Sequence, residues 1–361
     1  MSATAQNDRV NNITLEDINA KVVDTVNRSS EIMKRVVARP QAWNGRSFQS
    51  PIFTNNSGLG QTFKGAETFS TDIDMNTVSM TWYPTGYAQP VGISTVERSI
   101  NSTPAGVIDM YQVSYQYAQN SMITNLAAIF YGLGSGNNFD GLALIVDDGT
   151  NTSSYAGLTR ATYPTINAGN TTGLIVASAG VLDLATMASA DDAATISGDV
   201  SETPNVLITN QTVWSLYDSL LEPTSRANYN ELGGSFIDGT TGLKQAAKPS
   251  DGLKFSAGAT SVSYRGKPMV RDQKSPTGDL WFLNEDWFDF KSLKLNGLNT
   301  IATTESVVNG PYDDYSVSAF QFREMLQPVN SLSEVGVFVM YGNIVCLNPN
   351  RNELITGITT T

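Results

Sequence analysis

Residues 139–164, FDGLALIVDDGTNTSSYAGLTRATYP, decide how this chain is read. The stretch joins an apolar run, a paired-acid turn and a second segment, YAGLTRATYP. Phe139, Leu142, Leu144 and Ile145 are expected to pack beside the end of the helix that precedes them. Asp147–Ser154 is expected to form an exposed turn. Arg160 is the one cation in a stretch that also carries Asp140, Asp147 and Asp148. It is the candidate for an ion pair, within or between subunits, with a solvated side chain as the alternative. Catalytic chemistry is not visible here. An acid/base pair must face one bond across a set gap, and neighbours such as Asp147-Asp148 or Asp313-Asp314 do not announce such a pairing. They read as solvated turns, with a hard-cation site as the lesser alternative.

Upstream lies the clearest helix, 106–131. Ile108, Tyr111, Tyr115, Ala118, Met122, Leu126 and Ile129 step by three or four, which makes one apolar stripe. At 1.5 Å per residue it is about 39 Å long, and the glycines of GLGSGNN (132–138) end it. Residues 14–37 read as a second amphipathic helix, capped by Thr14 and ended by Pro40, with Leu15, Ile18, Val22, Val26, Ile32 and Val36 on one side. Between them, 41–105 shows no helix. In DMNTVSMTWYP (74–84) polar and apolar residues alternate as in a half-buried strand. Residues 55–90 read as a long hairpin-like excursion, marginal by itself in water.

Downstream, 177–194 reads as a helix and PNVLIT (204–209) as a short buried strand. Gln211–Leu221 reads as a helix. SVSYRGKPMVRD (261–272) and GDLWFLNED (278–286) read as two strands joined by a turn at KSPTG. Residues 316–361 hold extended runs, with a hairpin turn at Gly342-Asn343.

Composition narrows the function. The chain has 361 residues and no histidine, which removes Ser-His-Asp and Cys-His catalysis and imidazole metal sites. Cys346 is the single cysteine, so intrachain disulfides and thiolate zinc clusters are excluded. It sits in NIVCL (343–347) and reads as a small buried hydrophobe. No apolar run approaches the ~18 residues of a membrane span. MSATAQNDRV lacks the apolar core of a signal peptide, so a cytoplasmic site of synthesis and residence is expected. The glycine patterns GLGQTFKG (58–65) and GLGSGNNFDG (132–141) lack the spacing or context of phosphate loops. The net charge is −12, which argues against a dedicated nucleic-acid binder. A mildly basic first fifty residues precede a strongly acidic body.

The order of these features resembles the major capsid proteins of tailed bacteriophages, with the Hong Kong 97-type fold. FDGL (139–142) and YAGLTRATYP (155–164) resemble family segments after the long helix. PNVLITNQTVWSLYDSLLE (204–222), and GKPMVRD (266–272) followed by DLWFLN (279–284), resemble the strand-then-helix and paired strands of the axial domain. The resemblance implies an α+β fold with an N-terminal arm (1–50) and an E loop (51–90). It implies a peripheral domain (91–174) with a spine helix (106–131), an axial domain (175–300) and a return to the peripheral domain (301–361). The implied function is a non-enzymatic shell subunit that forms pentamers and hexamers around double-stranded DNA, without sequence-specific binding or cofactors. The implied location is the virion, assembled in the host cytoplasm with no membrane. Portal is an implied partner, and because about fifty residues before the E loop are too few for a large internal scaffold, so is a separate scaffolding protein, with the arm helix doing part of that work as the alternative. Subunit contacts are expected at Leu15, Ile18 and Val22 of the arm, at Lys64, Phe69 and Trp82 of the excursion, and at Arg160. Some relatives join subunits by a Lys–Asn isopeptide bond. Lys64 is the only lysine of 51–90, and with no Asn partner or acidic catalyst identified, no cross-link is expected. An encapsulin-like compartment shell is the alternative, and a carboxylate-based hydrolase a distant third.

Overall fold

The computed structural model describes residues 30–37, 40–54, 60–68, 77–101, 110–170, 176–177, 180–195, 202–232, 237–238, 242–243, 261–295, 299–300, 320–328 and 331–359. In chain order the strands are β1 (Pro40–Ala42), β2 (Phe48–Phe53), β3 (Thr77–Trp82), β4 (Thr85–Ser94), β5 (Ser154–Tyr155), β6 (Leu158–Thr159), β7 (Val176–Ala177), β8 (Val206–Thr209), β9 (Ile237–Asp238), β10 (Gly242–Leu243), β11 (Ser261–Tyr264), β12 (Lys267–Arg271), β13 (Leu280–Leu283), β14 (Phe288–Ser292), β15 (Asn299–Thr300), β16 (Gln321–Leu326), β17 (Ser333–Cys346) and β18 (Glu353–Thr356). The helices are α1 (Glu31–Val37), α2 (Thr95–Asn101), α3 (Met110–Phe130), α4 (Leu142–Ile145), α5 (Leu184–Ala194) and α6 (Gln211–Leu232).

One sheet is organised by β17, which pairs antiparallel with β4, β16 and β14; β1 then runs parallel to β14. The first part of β17 alternates, burying Gly336, Phe338 and Met340, and its last five residues, from Gly342 to Cys346, are buried throughout. Helix α3 has no charged residue. It covers this sheet with Ala118, Met122, Leu126, Ala127 and Phe130. Tyr115 stands edge-on to Phe322 and Phe338, at 5.2 and 4.7 Å between ring centroids. The turn expected at Gly342-Asn343 is absent, because the strand runs straight through. A Cβ at residue 342 would lie 2.0 Å from the Lys291 carbonyl oxygen, so glycine is there for the close approach of β14.

The second sheet has the order β11-β12-β8-β13-β18-β7. Both β8 and β13 are buried at every position. Side chains alternate across a strand, so Leu207, Leu280, Phe282 and Ile355 pack with Met187 and Ala190 of α5 and with Val213 and Tyr217 of α6. Val206, Ile208, Trp281, Leu283 and Leu354 point the other way and join the core beneath the first sheet. The expected turn between 261–272 and 278–286 does not pair them. β8 lies between β12 and β13, parallel to one and antiparallel to the other. A short, wholly apolar strand gains most from the central position, where both faces are covered.

Other boundaries differ from expectation. α5 begins at Leu184, where the Asp183 side chain accepts from the Thr186 N–H; Val176 and Ala177, placed around the start of that helix, form β7. α6 is capped by Asn210, whose Oδ1 accepts from Val213 N at 2.9 Å, and it runs past Leu221 to Leu232. α2 occupies a region read as helix-free. Its Ser94–Glu97 start is a reciprocal capping box, with Ser94 Oγ accepting from Val96 N and Glu97 accepting from Ser94 N. Of the helix expected over 14–37, the described residues hold only α1, with Ser30 before it non-helical; residues 14–29 lie outside the described residues.

Candidate functional site

The stretch 139–170 folds into a knot around two buried charges. Asp147 is 0% exposed and Arg160 is 1% exposed. The Asp147 carboxylate accepts from the backbone N–H groups of Gly149, Asn151 and Thr152, and from the side chains of Asn151 and Thr152, at 2.8–3.2 Å. Arg160 Nη1 donates to the carbonyls of Asp147 and Ile166 at 2.6 and 2.7 Å, and Nη2 donates to those of Leu144 and Ile145. The last two close the C-terminal end of α4, where exposed carbonyls favour a cation. Arg160 Nε faces the Asp147 carboxylate at 3.8 Å, and the guanidinium lies over the Tyr155 ring. Burial pulls the Arg160 pKa below its ordinary value, and Asp147 pushes back. The expected exposed acid turn is therefore corrected. Asp147 and Asp148 are both buried, because the loop folds over its own carboxylates.

The knot holds a second acid. Glu353 is fully buried; its Oε1 accepts from Leu354 N at 3.1 Å and its Oε2 has no partner. Gly169 passes so close that a Cβ there would lie 2.2 Å from Oε2. Burial, and then the nearby Asp148 charge, raise the Glu353 pKa to about 8. Asp140, hydrogen-bonded to Asn343 at 3.0 Å, is raised by burial to about 6. Among the described residues no group of three metal-ligating side chains converges.

The excursion is the opposite case. β2 and β3 pair from Phe48↔Trp82 to Phe53↔Thr77, and residues 60–68 beyond them are exposed throughout. Phe53 is 73% exposed and Phe63 66%. A second apolar surface lies at the far end of the first sheet. Val96 and Ile100 of α2, Leu326 of β16, and Leu332 and Val335 at the start of β17 are all exposed there. The Thr95 N–H bonds to the Leu332 carbonyl at 2.9 Å, which joins α2 to the strand. Sequence reading missed this surface, because its parts lie more than two hundred residues apart. The one local signal was the Ser94–Glu97 capping box.

The residues expected at interfaces separate into three groups. Leu15, Ile18, Val22 and Phe69 lie outside the described residues. Lys64 is exposed on the excursion, with its own N–H bonded to Glu67. Trp82 and Arg160 are both buried in the core of their own chain. Trp82 is 1% exposed, packs on Phe48 and Tyr155, and donates from Nε1 to Tyr155 OH at 3.2 Å. Cys346 is buried as expected, and burial pushes its thiol up to about 12.

No family model matches the sequence, and no curated protein does. Solved structures do match. A chain of the cyanophage A-1(L) capsid asymmetric unit superposes with a TM-score of 0.69 at 14% identity, covering 98% of this chain and 99% of that one. The chain has the capsid fold. The holo-SrpI encapsulin complex from Synechococcus elongatus PCC 7942 gives a TM-score of 0.55 at 9% identity, over 100% of this chain and 97% of that one. The capsid of a native GTA particle gives 0.54 at 11%, over 99% of both chains. Each of these matches runs over nearly the whole of both chains.

Proposed function

We propose that the chain is the major capsid protein of a tailed phage, a subunit that builds pentamers and hexamers of an icosahedral head around double-stranded DNA. The observation that carries this reading is the end-to-end similarity to the cyanophage capsid at a TM-score of 0.69, against 0.55 for the encapsulin. The surfaces support it. An excursion with Phe53 and Phe63 in water, and an apolar patch at Val96, Ile100, Leu326, Leu332 and Val335, are surfaces that a neighbouring copy would cover. Two different patches meeting head to tail close rings. In this reading 1–50 is the arm, 51–90 the E loop, 91–174 the peripheral domain with α3 as its spine, 175–300 the axial domain and 301–361 the return. The acidic body does not adhere to DNA, which stays free to move during filling. The subunit works by binding rather than catalysis, in the virion after assembly in the host cytoplasm, with portal and a separate scaffolding protein as partners.

Electron microscopy of the chain, expressed alone and with the genes beside it, tests this reading. Closed shells of about phage-head size that take up DNA are expected. Subunits that stay monomeric in both expressions overturn it. The encapsulin-like reading rests on the coverage of that chain, and shells filled with a co-encoded protein and free of DNA would favour it. The described residues hold no helix long and apolar enough to cross a membrane.

A further inference from the structure

The geometry points to Asp272 as a latch that docks α1 on the body and fixes where the chain before Ser30 departs. Asp272 lies just past β12 and is 1% exposed. Its Oδ2 accepts from Ser30 Oγ at 2.8 Å, from the N–H groups of Glu31 and Ile32 at 2.8 and 3.1 Å, and from Tyr131 OH at 3.1 Å. Its Oδ1 accepts from Lys274 N at 2.9 Å, and its own N–H is tied to the Thr209 carbonyl at 2.8 Å. One carboxylate therefore joins the start of α1, the end of α3 and the end of β12.

α1 needs such a hold. It has seven residues, too few to persist alone, and its first N–H groups have no partner inside the helix. A carboxylate supplies acceptors and the charge that a helix N-terminus favours. The other contacts of α1 are less complete. Ile32 and Met33 are buried, but a cavity of about 240 Å³ lies beneath, lined by Ile32, Val36, Leu142, Ile208, Leu283 and Phe290 among others. The Arg35–Glu285 ion pair at its rim is part-exposed. The other end of the segment is held separately, by β1 on β14 and by the Trp43 N–H on the Ser292 carbonyl at 2.8 Å. Loss of the latch frees α1 while β1 stays in place. The proposal holds whether or not the chain builds a shell.

Hydrogen exchange on the full-length subunit tests it. In Asp272→Ala, amides of 31–37 exchange at least ~10-fold faster, while peptides from β8, β12 and α3 keep their protection, because only α1 depends on the latch for its place. Binding of an apolar fluorescent dye rises as the cavity floor is uncovered. Tyr131→Phe, which removes one donor and leaves the α1 bonds, keeps 31–37 protected. Unchanged protection of 31–37 in Asp272→Ala overturns the proposal. So does equal loss over α1, β12 and α3, which would make Asp272 an ordinary core group. Should the alanine variant fail to fold, Asp272→Asn keeps the shape, and the same comparison decides: loss confined to 31–37 supports the latch, and none or general loss overturns it.

Discussion

The excursion at 48–82 and the knot at 139–170 both leave the sheets for a long stretch, and they satisfy themselves in opposite ways. The knot turns inward. Asp147 collects five hydrogen bonds from its own loop, and Arg160 closes four carbonyls of the same stretch. The excursion turns outward, rooted by Phe48 and Trp82 but with Phe53 and Phe63 left in water. A loop rich in short polar side chains and one central pair of charges can be its own partner. A loop whose aromatics Phe53 and Phe63 stand exposed gains most from a surface elsewhere. In the proposed reading, stability and assembly are in this way assigned to different parts of one chain.

Substitutions ranked by their effect on the isolated subunit probe that division. Arg160→Met leaves four buried carbonyls and a buried Asp147 without their cation. It is expected to cost about 3–5 kcal/mol, read by urea unfolding; a cost below ~1 kcal/mol would mean the knot is not held from within. Glu353 titrates the same region. Its folded pKa of about 8 stands above the ordinary carboxyl value of 4.5, so the folded chain binds this proton more tightly than the unfolded one. The group costs nothing below about pH 4.5, destabilises progressively as pH rises and reaches its full penalty above about pH 8. Glu353→Gln should then stabilise the subunit at pH 9 by about 2–4 kcal/mol and by little at pH 4; equal effects at both would refute the buried acid. Gly342→Ala forces β14 away from β17 and is expected to cost about 1–3 kcal/mol in thermal melts. Smallest of all, Phe63→Ser should change subunit stability by less than about 0.5 kcal/mol while sharply reducing shell yield. A large loss of subunit stability would show that the excursion packs on its own body.

What the sequence made legible was mostly local. The stripe through Ala118, Met122 and Leu126 marks α3, because one face of a helix repeats within a few residues and needs no knowledge of the partner. PNVLIT marks a buried strand, but its run of apolar residues does not say that it would lie between two strands expected to pair with each other. Gly342-Asn343 has the composition of a turn, and the passing Lys291 carbonyl, more than fifty residues away, gives the glycine its different use. Asp147-Asp148 has the look of a wet turn, and only the folded loop shows how many donors converge on the first acid. Asp272 gave no signal, since its partners at Ser30 and Tyr131 are 242 and 141 positions away. The exposed patches were missed for the same reason, apart from the capping box that marks α2. The fold was therefore more readable than the surfaces proposed to assemble it.

The ten consecutive pairs between β4 and β17, from Thr85↔Gly342 to Ser94↔Ser333, begin only a few residues after the root of the excursion at Trp82. Tension directed along β4 would load those rungs together, in shear, instead of opening them one by one like a zipper. A pull on the excursion by a neighbouring copy would thus be met by this ten-rung ladder, against whose β4 strand α3 packs.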